Sequence, residues 1–312
     1  LKHLTVKFLA KGPRRQSHGV WLRQFPNQSG IWGNCRFVFD PDASQYDWLV
    51  VYDDLPRSAE ERFSNRVETL RCSPENTLLI TTEPSTVKHY SKPYLAQFGH
   101  VLTSQEPEVI DHPNPIFSQT ALHWFYGIGK HGDGKQTTLT YDQMKATEAP
   151  TKPRLISTVC SSKKQKKTLH NTRYEFTEAI KTWLPELAHY GHGVETIADK
   201  AEALDPFQYH IAIENHACRH HWTEKLADPF LGFCFPFYFG CPNLNDYFPD
   251  ESYLYIDLFD IEQSAETILA AITNKTYEKH LSAISEARRL VLDEYNLFAV
   301  VSNIIESHHA PS

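Results

Sequence analysis

One short stretch in the second half of the chain gathers side chains suited to an anionic, hydroxyl-rich ligand. Tyr209-His210-Ile211-Ala212-Ile213 alternates as a strand does and ends in Glu214-Asn215, a carboxylate and an amide. A His-rich loop then leads to Trp222-Thr223-Glu224-Lys225-Leu226. There Thr223 is a good helix N-cap and puts Glu224 and Lys225 in the first turn. Backbone N–H groups at such a turn favour anions, and a lysine beside them binds phosphate as a point charge. A carboxylate in the same place is suited instead to accepting hydrogen bonds from sugar hydroxyls. Read by themselves, these residues also fit a surface helix with an ordinary Glu-Lys pair.

Other constellations offer chemistry of their own. Leu78-Leu79-Ile80-Thr81-Thr82-Glu83-Pro84-Ser85 is a strand delivering a carboxylate, Glu83, at its carboxyl end, although a Glu before a Pro also suits a plain turn. Lys163, Lys164, Lys166 and Lys167 make either a local basic field or a solvated loop. Asp40-Pro41-Asp42 and Asp53-Asp54 could bind a divalent metal, and His216, Cys218, His220 and His221 could be zinc ligands. Neither set has the second half that a specific metal site needs. No GxxxxGK[ST] and no strand-linked GxGxxG occurs, which removes support for an ATPase or a dinucleotide oxidoreductase.

The elements that must position these residues follow from periodicity. At 312 residues with 41% hydrophobic content, the chain is long enough for two domains. Arg36 to Phe39, Trp48 to Tyr52 and Thr77 to Thr81 read as buried strands, and charged Ser58 to Leu70 reads as a helix linking two of them. Between about Gly127 and Pro153 the texture turns to Gly, Lys, Thr and Pro, which places a domain boundary near 150. Beyond it we expect a strand over Leu155 to Cys160 and a helix over Thr172 to Leu184 with Phe176, Ile180 and Trp183/Leu184 on one face. Strands over Tyr209 to Ile213, Phe235 to Phe239 and Tyr253 to Ile256 follow. Pro229 should kink or end the helix that starts at Thr223. Closing helices include one with Ile261, Ala265, Ile268, Leu269 and Ile272 at helical spacing. Strand and helix alternating in two halves predict two doubly wound α/β domains, with ligands at the carboxyl ends of strands and in the cleft between them.

Composition narrows the partners. Lys+Arg 31 against Asp+Glu 38 gives a net charge of −7, so no global positive field is available for a nucleic-acid backbone or an anionic membrane. An anionic ligand must be met by a local cluster of cations. The longest apolar run, Pro229 to Gly240, is broken by Gly232 and Pro236, too short for the roughly 20 apolar residues of a spanning helix. Six cysteines without a CxxC pair read as mostly reduced, buried thiols. They point to the cytoplasm, and the resemblance set out below adds the inner face of a bacterial membrane as a peripheral location. The chain begins at Leu1 and its only methionine is Met144, which reads as a removed initiator or longer N-terminal segment. Had that segment carried an anchor, a Golgi lumen would replace the cytoplasm.

Taken together, Glu214-Asn215, Thr223-Glu224-Lys225-Leu226, Pro236-Phe237-Tyr238-Phe239-Gly240-Cys241-Pro242-Asn243 and Asp246-Tyr247-Phe248-Pro249 resemble the donor-binding motif of the glycosyltransferase family 10 fucosyltransferases, most closely the bacterial members. The resemblance is dense over this stretch and thins upstream to about Asn76. It implies a GT-B fold of two Rossmann-like domains, with residues 1–150 receiving the acceptor and 151–312 holding the GDP-sugar donor, the last helices being free to pack back on the first domain. It further implies an inverting transfer of L-fucose from GDP-fucose to a hydroxyl of an oligosaccharide or glycan, with α1,3 or α1,4 regiochemistry. Asn215, Glu224 and Lys225 fall on its donor-binding positions, and Glu214 and Trp222 are expected to bind the donor with them. The Ser157 to Arg173 segment is similar to the family's strand-loop-helix, so that Arg173 would pair with the diphosphate. Glu83 falls on the segment of the proposed general base, and Phe98 to Ser104 and Trp124 to Gly127 also fit. No cofactor is implied beyond the donor, and a divalent metal is not expected to be essential. Transfer of another GDP-linked sugar and a non-catalytic sugar-binding module are the competing readings.

Overall fold

The structure is a computed structural model and describes residues 3–11, 19–57, 60–61, 64–121, 123–130, 136–162 and 168–309. The chain folds into two compact units. The first comprises residues 1–122, 140–142 and 295–312, and the second 123–139 and 143–294. The division therefore falls at Leu122 rather than near 150, because the Gly-rich stretch from residue 127 is taken into the second unit.

The first unit is built on strands β1 (Leu4–Ala10), β2 (Ile31–Trp32), β3 (Cys35–Val38), β4 (Trp48–Tyr52), β5 (Thr77–Ile80), β6 (His100–Thr103) and β7 (Pro115–Phe117). Their order is β2-β3-β1-β4-β5-β6-β7, parallel except for the β2–β3 pair. Period-two alternation gives the sheet two apolar faces. Phe8, Val50, Leu78 and Ile80 share one core, whereas Leu9, Leu49, Val51 and Leu79 face the other. Both faces are covered, as a parallel sheet requires, so β4 reads as an unbroken apolar run. The short helices α1 (Gly19–Leu22) and α2 (Lys92–Leu95) belong to this unit.

The helix expected over Ser58 to Leu70 does not form among the described residues of that segment. A buried charge explains why. Lys7 points inward from the middle of β1, and its ammonium is 2.6 Å from Glu68 and 2.8 Å from the Ala43 carbonyl. Arg66 in turn pairs with Glu68 at 3.1 Å. An extended segment can deliver these partners to Lys7, and leaving that charge unpaired would cost more than one helix yields.

The second unit contains β8 (Ile128–Lys130) and β9 (Gln136–Thr138), a small antiparallel pair, and a five-stranded parallel sheet. That sheet consists of β10 (Arg154–Val159), β11 (Ala188–Tyr190), β12 (Phe207–Ile213), β13 (Phe235–Phe239) and β14 (Leu254–Tyr255), in the order β11-β10-β12-β13-β14. The helices α4 (His170–Trp183), α5 (Glu224–Leu231), α6 (Ile261–Thr273), α7 (Thr276–Lys279) and α8 (Leu281–Asp293) belong to this unit, and α3 (Tyr141–Ala146) begins in the first unit and ends in the second. The last helix, α9 (Leu297–His308), returns to the first unit, where Phe298 and Val301 join the core of Phe8 and Val50.

Three expectations need correction. Pro229 does not stop α5, which continues to Leu231: so near the end, the missing N–H costs a single helical bond. On α4 the buried face is Arg173, Phe176, Thr177 and Ile180, and Trp183 is exposed. On α6 the buried residues are Ser264, Ala265, Ile268 and Ala271, with Ile261 exposed in the first turn. No helix among the described residues is long and apolar enough to cross a membrane.

Candidate active site

The strand order of the second unit dictates where a ligand belongs. The chain passes from β10 to β11 on one side, then crosses back from β11 to β12 on the other side of β10. The carboxyl ends of β10 and β12 therefore open a crevice at the point where the winding reverses. A cavity of about 250 Å³ lies there, lined by Val159 at the end of β10 and Ser161 after it, Arg173 of α4, Asn215 after β12, and Glu224 and Lys225 of α5. The loop after β11 closes it with Gly191, a position where a Cβ would stand 2.6 Å from the Cys160 carbonyl oxygen.

Local chemistry positions each of these groups. The Thr223 hydroxyl accepts from the Lys225 N–H, as an N-cap should. Glu214 does not line the cavity. Fully buried, its carboxylate accepts from the Thr223 N–H at 2.8 Å and from the Thr223 hydroxyl, which fixes the start of α5 to the end of β12. Gly240 is required behind it, since a Cβ there would lie 2.5 Å from the Glu214 side chain. Arg173, in the first turn of α4, donates from Nη1 to the Asn215 side-chain oxygen. Its Nε is buried and meets no hydrogen-bond acceptor among the described residues. A guanidinium N–H is costly to bury without an acceptor, and Arg173 lines the cavity.

The cavity's charges balance closely. Lys225 lies 3.1 Å from Glu224 and 3.8 Å from Glu214. Burial works against the charge on Glu224, but Lys225 and then Lys200 outweigh it and hold this carboxyl well below the usual range. Glu224 is thus a permanent hydrogen-bond acceptor at neutral pH. A cavity offering an ionised carboxylate, an amide, a guanidinium and lysines suits a ligand that is anionic at one end and hydroxylated at another.

Periodicity and spacing did not reveal three residues of this site. Lys200 and Asp228 line the cavity, and so does His210 in the middle of β12. The Ser157 hydroxyl donates to the Ala203 carbonyl, so it accepts from His210 Nδ1 at 2.8 Å, leaving His210 Nε2 as an acceptor. Burial, with Lys200 and Lys152 nearby, pushes this imidazole down to about 3. The unfolded chain therefore binds a proton that the folded one refuses between that value and the ordinary 6.5, and stability falls as pH drops through this window. Between pH 6.5 and 5 this histidine alone should cost about 2 kcal/mol. Melting temperatures across that range should fall less steeply for His210→Gln than for the parent protein.

Other expected residues fall elsewhere. Trp222 is buried edge-on against Tyr247 and Phe248, with ring centres at 5.8 and 5.0 Å, and does not line the cavity. Lys163, Lys164, Lys166 and Lys167 lie outside the described residues. Glu83 is in the first unit, half-buried just beyond the carboxyl end of β5. Its carbonyl oxygen accepts from Gln105 at 2.7 Å. Asp53 is committed to Lys11 at 2.8 Å and Lys88 at 2.9 Å, and the Tyr90 hydroxyl also donates to it. Asp42 projects into solvent on a turn, with its side chain 76% exposed. The His220 ring Nδ1 is bonded to the Tyr247 hydroxyl, and its backbone N–H donates to the Asn243 side-chain oxygen.

The cavity and its walls lie within residues 149–286, which match the family model described as glycosyltransferase family 10 (fucosyltransferase), C-terminal. This segment is a family 10 glycosyltransferase domain. The protein is therefore a glycosyltransferase. No curated protein sequence matches the chain. Among solved structures, an α1,3-fucosyltransferase is 13% identical, with 95% of this chain and 92% of that one covered and a TM-score of 0.51. A structure of α1,3-fucosyltransferase with GDP-fucose is 12% identical over 94% and 92%, with a TM-score of 0.49. The DNA-modifying β-glucosyltransferase is 7% identical over 98% and 99%, also at 0.49. At such identities the likeness speaks to fold, and the fold is the two doubly wound units of GT-B glycosyltransferases. In the family 10 domain, the motif strand β12 and the cap of α5 are the two elements that meet at the crevice.

Proposed function

We propose that the enzyme transfers L-fucose from GDP-fucose to a hydroxyl of an oligosaccharide or glycan, with inversion at the anomeric carbon and α1,3 or α1,4 regiochemistry. The observation that carries this reading is the buried Arg173, its Nε unpartnered among the described residues, beside Lys225 and the ionised Glu224 inside the family 10 domain. Arg173 and Lys225 hold the diphosphate, Glu224 accepts from donor hydroxyls, and the Asn215 amide group donates to them. Glu83 takes the acceptor's proton as the new bond forms, so that inversion needs no nucleophilic side chain. The fixed cations stabilise the charge that develops on departing GDP, the role a divalent metal plays elsewhere. The first unit receives the acceptor and the second the nucleotide. All six cysteines are unpaired thiols, four of them buried, which supports a reducing compartment such as the cytoplasm.

The donor half of this proposal is tested by thermal unfolding with nucleotides. GDP at a hundredfold excess over its dissociation constant should stabilise by about 2.7 kcal/mol, equally with and without chelator. UDP should do much less. A preference for UDP, or stabilisation by GDP that vanishes in chelator, would contradict it.

A further inference from the structure

Lys200 belongs to none of the segments that drew attention to the site, yet it stands at the centre of its charges. It opens a 3-10 turn, Lys200–Ala203, between β11 and β12. Asp199 caps the Ala201 N–H, and Glu202 bonds back to the Asp199 N–H. Lys200 lines the cavity. Its ammonium lies 2.7 Å from Asp228, 3.8 Å from Glu224 and 5.2 Å from the centre of the Phe125 ring. Asp228 is 1% exposed, and its other oxygen accepts the N–H groups of Phe125 and Tyr126, both at 3.1 Å. A continuous series of contacts thus runs from the 125–126 backbone through Asp228 and Lys200 to Glu224 and Lys225.

A lysine needed only to neutralise Asp228 would have no reason to reach a second carboxylate or to line the cavity. Glu224, moreover, has two neighbouring ammoniums, and with Lys200 absent it would lean wholly on Lys225. We propose that Lys200 is the positioning residue for Glu224: it shares that carboxylate's Oε1 with Lys225, at 3.8 against 3.1 Å, so that Lys225 is not the sole counter-charge of Glu224 and can turn to the diphosphate when the donor binds. Asp228 is the counter-ion that anchors Lys200. This inference rests on the GDP-sugar reading of the cavity.

Lys200→Met alone leaves Asp228 buried without its cation and gives the cavity an extra negative charge, so loss of binding in that variant would be ambiguous. The informative variant is Lys200→Met with Asp228→Asn, which removes one charge of each sign. The amide oxygen of Asn can still accept the two backbone N–H groups. With the fold checked by melting temperature, this double variant should raise the donor KM about three- to tenfold, the worth of one partly buried ion pair, with kcat within about threefold. The acceptor KM should not move, and Lys200→Arg should recover most of the donor affinity. A folded double variant with the parent's donor KM, or a loss confined to kcat, would overturn the role of Lys200 while leaving the donor reading intact. If the parent protein binds no GDP in calorimetry, both fall together.

Discussion

Glu83→Gln is expected to lower kcat by roughly two to four orders of magnitude, the range in which a positioned general base contributes. The substitution keeps size and shape while removing the capacity to accept a proton. Its surroundings should tolerate it. The Glu83 carbonyl would still accept from Gln105, and the preceding Thr82 N–H would still donate to the Tyr90 hydroxyl at 3.2 Å. Because the proposed nucleotide contacts are in the other unit, GDP affinity by calorimetry should stay at the parent value. That combination, intact binding with lost turnover, marks a group that works only in the transition state. Full activity in Glu83→Gln would remove Glu83 from the mechanism.

Arg173→Met carries the second large effect. Arg173 supplies a buried fork at the first turn of α4, one arm bonded to Asn215 and its Nε without an acceptor among the described residues. Two losses should follow from its removal. Ground-state binding of GDP weakens, and the leaving diphosphate loses a fixed cation just as its charge grows. A single donor of this kind is worth about a hundred- to a thousandfold in kcat. Arg173→Lys should restore only a small part, since an ammonium cannot span Asn215 and a phosphate with the geometry of a planar fork. Single-turnover rates with saturating GDP-fucose separate the two losses. A variant with parental single-turnover rate and weakened binding alone would restrict Arg173 to ground-state recognition.

How far the residues announced this site depends on the range of the interactions involved. Thr223, Glu224 and Lys225 were legible because capping is decided within one turn, and Glu214-Asn215 because a strand's end is a local event. The same local rules placed β4, β5, β12 and β13 closely. Lys200 and Asp228 were not legible, because they are far apart in the chain and meet only when the turn before β12 packs on α5. The helix expected over Ser58 to Leu70 failed for a similar reason: its charges looked solvent-facing until Lys7, buried in β1, drew Glu68 in as a partner. Trp222 shows the opposite error. Its place beside the cap suggested a ligand contact, whereas its ring is occupied by Tyr247 and Phe248.

The central claim is donor use, and it is tested most directly by measuring GDP release from GDP-fucose and from GDP-mannose with and without a panel of oligosaccharide acceptors. The account predicts release that requires an acceptor, is faster from GDP-fucose, and leaves an α-linked fucose on the product. Faster turnover of GDP-mannose, or tight GDP binding with no release under any acceptor, would contradict it.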